Sequence, residues 1–148
     1  MNNFKGIFNK DKVITASANA RVNLIGEHTD YTGGYVLPML LKHKTKVHLS
    51  CENKINVVYS NLYNETRTFK NFNKSKNNDW LDYVKGCLLI TKSKFSLPNN
   101  YLNITINSNI PPNRGISSSS ALCVALIKAI NTFYKLKLYC RYFDQAHI

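Results

Sequence analysis

Apolar residues that alternate with polar ones, or that are β-branched, mark five short stretches of the chain. These stretches cover residues 13–18, 22–25, 46–51, 55–59 and 101–106, and each is typical of a β-strand. Residues 26–38 separate the second stretch from the third and contain Gly26, Gly33 and Gly34 among polar residues. Such turn-forming residues predict an exposed loop within an N-terminal sheet.

Two later segments repeat their apolar residues every three or four positions and therefore predict amphipathic helices. The first follows Asp79, a suitable N-cap. Its repeating positions are Trp80, Tyr83, Val84, Cys87, Leu88 and Thr91. The second covers residues 117–135 and repeats at Leu122, Leu126, Ala129, Ile130 and Phe133. Because strands and helices do not alternate strictly, their order favours an α+β fold over a doubly wound sheet.

Chain length and net charge limit the number of domains and the class of ligand, but only in part. The 148 residues are enough for one domain with a single core. Residues 1–12 are expected to form a polar N-terminal extension, and residues 70–78 an Asn- and Lys-rich loop. The formal net charge of +12 favours anionic ligands such as nucleotides, polyphosphates or nucleic acid. Charge alone does not choose among them.

The cysteine spacing and the hydropathy of the chain indicate the cellular compartment in which the protein is expected. The four cysteines, at positions 51, 87, 123 and 140, lie far apart and form no CxxC pair. They are expected to be reduced core or half-buried residues rather than zinc ligands. The chain starts with polar residues and has no apolar stretch of about 18 residues, so a cytoplasmic protein without a membrane span is expected.

Polar side chains are concentrated directly after the second predicted strand. Glu27, His28 and Asp30 follow the apolar residues 22–25, and Arg21 precedes them. Carboxylates and an imidazole can hold a polyhydroxylated ligand through paired hydrogen bonds. The same three side chains could also ligate a divalent ion or serve only as structural polar packing. The residues alone leave these three interpretations open.

A second polar cluster begins at Pro111 and runs into the second predicted helix. It contains Asn113, Gly115 and four consecutive serines at positions 117–120. The unpaired N–H groups and the positive dipole end of a helix N-terminus attract phosphate, and serine hydroxyls add donors or bind magnesium. The spacing is neither that of a Walker P-loop nor GxGxxG, so a plain serine N-cap is the alternative.

Together these motifs resemble the GHMP kinase superfamily, and in particular the galactokinases. Residues 20–38 are similar to the galactokinase motif GRVNLIGEHTDYNGGYVLP, and residues 80–86 resemble the family's WxNYVKG helix. The serine loop is similar to the superfamily's Pro-x-x-x-Gly-Leu-Ser-Ser-Ser-Ala loop, in a form closer to the N-acetylgalactosamine kinases. The resemblance implies the N-terminal domain of the GHMP kinase fold, related to a ribosomal-protein fold and incomplete at the C-terminus.

The resemblance also implies an activity and a role for each matching residue. The activity is ATP-dependent phosphorylation of galactose, or of N-acetylgalactosamine, at the anomeric hydroxyl, with ATP and Mg²⁺ as cofactors. Arg21 would be the catalytic residue that stabilises the transferring phosphate. Glu27, His28 and Asp30 would hold the sugar. The nucleotide would be bound by Trp80, Asn113, Gly115, Ser117, Ser118 and Ser119, with Ser119 also contacting the metal.

The sequence departs from the family pattern in two places near these motifs. Ala20 stands where the family has a glycine, so the turn before Arg21 is expected to differ. Arg114 stands where a small residue is common, and it could either help to hold phosphate or crowd it.

The family's magnesium-binding Glu and catalytic Asp are expected to be missing, since His147 follows Gln145-Ala146 and Asp144 comes too early. Asp144 itself is expected to be an exposed helix residue. This chain is therefore expected to lack turnover and to leave apolar area uncovered, with low stability or aggregation. A non-catalytic sensor of galactose and ATP is the alternative, and a nucleic-acid-binding module is less favoured because no continuous basic stripe is present.

Overall fold

A computed structural model describes residues 13–29, 31–52, 54–70, 78–112 and 114–138. Its elements in chain order are β1 (Ile14–Ile25), β2 (Leu37–Glu52), β3 (Asn56–Ser60), β4 (Glu65–Phe69), α1 (Trp80–Phe95), β5 (Tyr101–Ser108) and α2 (Ser118–Tyr134). The mixed content confirms the α+β class. Neither of these two helices is both long and apolar enough to span a membrane.

The five described strands form one sheet in the order β1-β2-β5-β3-β4. Neighbouring strands pair antiparallel, except that β3 and β5 run parallel. A parallel pair needs a long crossover connection, and here β4 and α1 lie between β3 and β5 along the chain. The central strand β5 is buried along residues 102–106, as expected for a strand with neighbours on both sides.

Helix α2 packs chiefly on β1, and also on β2 and α1. Small residues allow this helix to approach the strand closely. Ala18 and Ala20 of β1 belong to the same buried cluster as three alanines of α2 that are spaced four residues apart, Ala121, Ala125 and Ala129. Residues four apart lie on one face of a helix, so α2 presents a small-residue face to the core.

The structure corrects several predicted boundaries. Residues 13–18 and 22–25 are parts of one continuous strand, β1, rather than two strands. Strand β2 begins at Leu37, well before residue 46, and β4 was not predicted. Tyr83 was expected on the buried stripe of α1, but its side chain is 46% exposed. The second helix is confirmed, with residues 117 and 135 as its caps.

The cysteines only partly follow the expectation. Cys51 is exposed, so its prediction as a core or half-buried residue was wrong, whereas Cys87 and Cys123 are buried free thiols. The pKa of the Cys87 thiol is raised, first by a hydrogen bond with Cys123 and second by burial. This pair joins α1 to α2 inside the core. The predictions for Cys140, Asp144, residues 1–12 and most of the loop at 70–78 lie outside the described residues.

Candidate functional site

A cleft of about 980 Å³ opens between the β3–β4 turn, the start of α1 and the loop that precedes α2. Five of the residues singled out from the sequence line it, namely Trp80, Gly115, Ser117, Ser118 and Ser119. Leu62, Tyr63 and Tyr83 also line it, so one end is aromatic and apolar while the other is rich in hydroxyls. Ligand pockets commonly have volumes of about 300–1,000 Å³, so the cleft is large enough for a nucleotide-sized molecule.

The hydroxyl-rich end is formed by a loop with an unusual backbone. Gly115 has φ +67° and Ser117, at the N-cap of α2, has φ +58°. Ser117 occupies the N-cap position, but its side chain makes no capping hydrogen bond to the helix. Because the first N–H groups of a helix have no intrahelical acceptor, the first turn of α2 can accept an anion. Ser118, Ser119 and Ser120, which form that turn, all line the cleft.

Arg21 connects β1 to this loop across 96 positions of sequence. Its two terminal nitrogens donate to different partners, Nη1 to Asn23 Oδ1 at 2.6 Å and Nη2 to Ser117 Oγ at 3.3 Å. The pairing of β1 with β2 shifts register between Asn19 and Arg21. Ala18 is buried before this shift, Ala20 is buried within it, and Asn23 is buried after it. The irregularity therefore turns Arg21 and Asn23 toward the side of the strand that faces α2.

Ala20, which was expected to change the turn before Arg21, lies at this same register shift of β1. Ala20 is a fully buried strand residue, and it is absent from the described residues with positive φ. No turn is present at this position, because β1 continues through it.

The predicted sugar-binding residues lie in the exposed connection between β1 and β2. Glu27 and His28 are exposed, and Tyr31 Oη lies 3.3 Å from His28 Nδ1. Neither Glu27 nor His28 lines the cleft, and Asp30 lies outside the described residues. Thr29 holds the connection in shape, since its Oγ1 lies 3.1 Å from both Gly26 O and Tyr35 O. The Thr29 hydroxyl thus contacts both sides of the loop.

Apolar side chains flank this loop without cover. They include Leu24, Ile25, Tyr35, Leu37 and Leu40, and Tyr35 is fully exposed. Aggregation of the isolated chain stays a prediction.

Substitution of Gly26 by alanine should destabilise the loop more than the same change at Gly33. Both glycines have positive φ, +88° and +80°, which alone disfavours alanine by about 1–2 kcal/mol. A Cβ at Gly26 would also clash with the backbone oxygen of Tyr35, whereas a Cβ at Gly33 meets nothing within 4 Å. Urea denaturation of both variants measures the difference. Equal losses would show that the close approach of Gly26 to Tyr35 is unimportant.

Three comparisons with known proteins bear on this arrangement. Residues 2–51 match the galactokinase galactose-binding signature, and residues 82–143 match the GHMP kinases N-terminal domain. The galactokinase of Pyrococcus furiosus is 37% identical over 126 residues, which cover 84% of this chain and 35% of that protein. The galactokinase of Thermosipho africanus is 38% identical over 122 residues, covering 82% and 33%. These matches make the chain similar to the N-terminal part of galactokinases, within the GHMP kinases.

A solved galactokinase structure agrees with this similarity. The crystal structure of Lactococcus lactis galactokinase complexed with galactose superposes with a TM-score of 0.83 at 27% identity, covering 95% of this chain and 38% of that chain. The chain spans about a third of the length of the curated galactokinases it matches. Glu27 and His28 fall inside the galactose-binding signature, and the serine loop falls inside the GHMP kinase domain.

The fold brings some predicted residues together and adds others. Arg21 contacts Ser117 of the serine loop, and this loop lines the cleft together with Trp80. Arg114 is exposed and lines the same cleft, while Asn113 lies outside the described residues. Within the described parts of the chain, no group of three His, Cys, Asp or Glu side chains could hold a metal ion.

Sequence reasoning missed Tyr63, whose ring stacks on Trp80 with centroids 5.8 Å apart and planes 9° apart. Tyr63 belongs to none of the three motifs, and it precedes a strand that was not predicted. The signal in the sequence was an aromatic residue shortly after the predicted strand at residues 55–59.

Proposed function

We propose that this chain is the nucleotide- and sugar-holding part of a galactokinase, which transfers the γ-phosphoryl group of ATP to the anomeric hydroxyl of galactose. The observation that carries the proposal is a cleft that combines an aromatic end at Trp80 with a serine-lined helix N-terminus, whose Ser117 accepts a hydrogen bond from Arg21. In the reaction the sugar oxygen forms a bond to the γ-phosphorus, and the bond to the β–γ bridging oxygen breaks. ADP and galactose 1-phosphate result, and the hydroxyl proton passes to a general base, for which no described residue is assigned.

The lining of the cleft suits ATP. Aromatic faces at one end can stack on a base, and backbone N–H groups and hydroxyls at the other end can bind phosphate oxygens. We assign Asn113, Gly115, Ser117 and Ser118 to the phosphates and Trp80 to the base. Bound there, the triphosphate would have its charge opposite the positive end of the α2 dipole.

Magnesium would neutralise charge on the transferring phosphate. Mg²⁺ usually keeps several waters and takes only one or two protein ligands beside substrate phosphates. The half-buried hydroxyl of Ser119 on the cleft wall fits that limited role. We assign Ser119 as the metal contact of this part of the chain.

Arg21 is assigned to charge stabilisation, and the β1–β2 loop is assigned to the sugar. The guanidinium of Arg21, fixed by Ser117 and Asn23, is placed to stabilise negative charge that develops near the phosphate loop. Glu27, His28 and Asp30 are assigned to the sugar hydroxyls, which agrees with their place in the galactose-binding signature. Catalysis would rest on holding the two substrates in line and on charge stabilisation.

Titration calorimetry with the 148-residue chain tests the binding roles. ATP should bind, and in the presence of Mg²⁺ the variant Ser119→Ala should bind it several-fold more weakly than wild type. Chelation of Mg²⁺ should remove the difference, because the hydroxyl then has no metal to contact. Ser93→Ala, an exposed serine of α1 outside the cleft wall, is the matched control. Failure of wild type to bind ATP would overturn the proposed function.

The sugar is tested separately. Galactose and N-acetylgalactosamine differ only at the second carbon, so parallel titrations with both sugars show which one the loop accepts. Binding of galactose together with ATP supports the galactokinase. A coupled ADP assay on the full-length protein distinguishes it from a non-catalytic sensor, which would bind both ligands without releasing ADP. A cytoplasmic location stays a prediction from the sequence.

A further inference from the structure

Two anchors fix the turn between β3 and β4 against the rest of the sheet. The side chain of Asn61 donates to Ser108 O at 2.9 Å and accepts from Ser108 N at 2.7 Å, which ties the turn to the end of β5. At the other end of the turn, Tyr59 Oη donates to Asn64 Oδ1 at 3.2 Å. Tyr63 lies between these anchors. Its backbone is therefore held in place although its side chain is half exposed.

The start of α1 is fixed in turn against the same hairpin. Asp79 caps the helix by accepting from Leu81 N at 2.9 Å, and Arg67 of β4 lies 3.7 Å from the Asp79 carboxylate. Trp80 follows directly and is largely buried. The hairpin and the helix thus present two aromatic rings, Tyr63 and Trp80, in a fixed parallel arrangement.

The two rings form one offset stacked pair on the wall of the cleft. Near-parallel, offset aromatic planes with centroids about 4.5–7 Å apart are a favoured stacking geometry. Trp80 is buried by the core and exposes little surface, whereas Tyr63 keeps half of its surface accessible. The accessible aromatic surface of this pair therefore belongs mainly to Tyr63.

We propose that Tyr63 is a base-binding residue of the nucleotide site, and that the Tyr63–Trp80 pair selects nucleotides with a large aromatic base. This inference rests on the proposed function, because it assigns a residue to the same cleft. The stacking free energy does not depend on the hydrogen-bonding groups of the base, but it increases with the area of the base. Purine nucleotides should therefore bind more tightly than pyrimidine nucleotides.

The test compares ligands that have a base with one that has none. Calorimetry with ATP, CTP and inorganic tripolyphosphate is carried out on the whole 148-residue chain and on Tyr63→Ala. The substitution should raise the dissociation constant of ATP about 5- to 150-fold, since one base–aromatic contact contributes about 1–3 kcal/mol. The constant for tripolyphosphate should not change. The preference for ATP over CTP should shrink.

Two further variants keep the test decisive. Tyr63→Phe retains the ring and should bind ATP like wild type, which separates stacking from a hydroxyl contact. Tyr35→Ala removes a fully exposed tyrosine outside the cleft and should leave ATP binding unchanged. Because Trp80 is the single tryptophan, ATP should also alter the fluorescence of wild type, and tripolyphosphate should not.

The outcomes separate this inference from the proposed function. If wild type binds ATP and Tyr63→Ala binds it equally well or more tightly, Tyr63 either lies outside the base site or blocks it, and the inference is overturned while the function stands. If Tyr63→Ala weakens ATP and tripolyphosphate equally, the residue acts through the fold, and the inference is again overturned. If wild type binds neither ligand, the proposed function and this inference fail together.

Discussion

Replacement of Leu126 by alanine should lower the free energy of unfolding by about 2–5 kcal/mol. The Leu126 side chain is fully buried, and it lies on α2, the helix that packs on β1 and β2. The loss combines the missing transfer free energy of the side chain with the cavity that remains in a core unable to collapse around it. Domains of this size are stable by only about 5–15 kcal/mol, so the variant should lose a large share of its stability.

The effect of Leu126→Ala is measured by urea denaturation, followed by circular dichroism and by the fluorescence of Trp80. Lys128→Ala is the matched control, because Lys128 is exposed on the same helix and its loss should change stability by at most about 0.5 kcal/mol. Since the first turn of α2 is part of the cleft, destabilised variants should also lose ATP binding as they unfold. A loss below about 1 kcal/mol for Leu126→Ala would mean that α2 does not dock on the sheet.

The parts of the fold that follow regular periodicity could be predicted from sequence. Helix α2 keeps its apolar positions four apart through Leu122, Leu126 and Ile130, and β5 alternates apolar and polar residues from Tyr101 to Ile106. Both elements were located within one or two residues. The loop at residues 26–38 was predicted from its glycines, and its described residues from 27 onward are exposed. In these elements local pattern and tertiary environment agree.

Strand β1 shows where periodicity fails. Its register shifts at Asn19/Arg21 and again at Asn23/Ile25, so the buried side changes from even to odd positions within one strand. A pattern of period two cannot represent such an irregularity, and the sequence therefore predicted two strands with a gap. The same irregularity gives Arg21 its orientation. The residue was identified from the motif alone, while its contact with Ser117 depends on the packing of α2 and could not be predicted.

Tyr83 and Tyr63 show a second limit of sequence reasoning. Tyr83 satisfies the helical spacing of the core stripe, yet the cleft begins at this position and leaves the ring 46% exposed. Tyr63 comes near Trp80 only because β3 pairs with β5 and carries the turn to the start of α1. A cleft is formed by elements that are distant along the chain, so its walls follow from topology rather than from local pattern.

Substitution of Arg21 by alanine should weaken ATP binding about tenfold or more, with little effect on adenosine. Hydrogen bonds to charged groups contribute about 1.5–3 kcal/mol, and every 1.4 kcal/mol corresponds to a factor of ten. Adenosine has no phosphates, so its binding should depend on the aromatic end of the cleft and not on Arg21. Calorimetry with both ligands on the 148-residue chain measures the contrast.

Arg21→Lys distinguishes charge from geometry. Arg21 uses two separate nitrogens, one for Asn23 and one for Ser117, whereas lysine offers a single compact ammonium group. Lysine should therefore restore only part of the ATP affinity that alanine loses. Lys42→Ala, which removes an exposed charge from β2, controls for the general effect of lower net charge. Equal weakening of ATP and adenosine by Arg21→Ala would show that Arg21 only supports the fold, and unchanged ATP binding would remove it from the phosphate site.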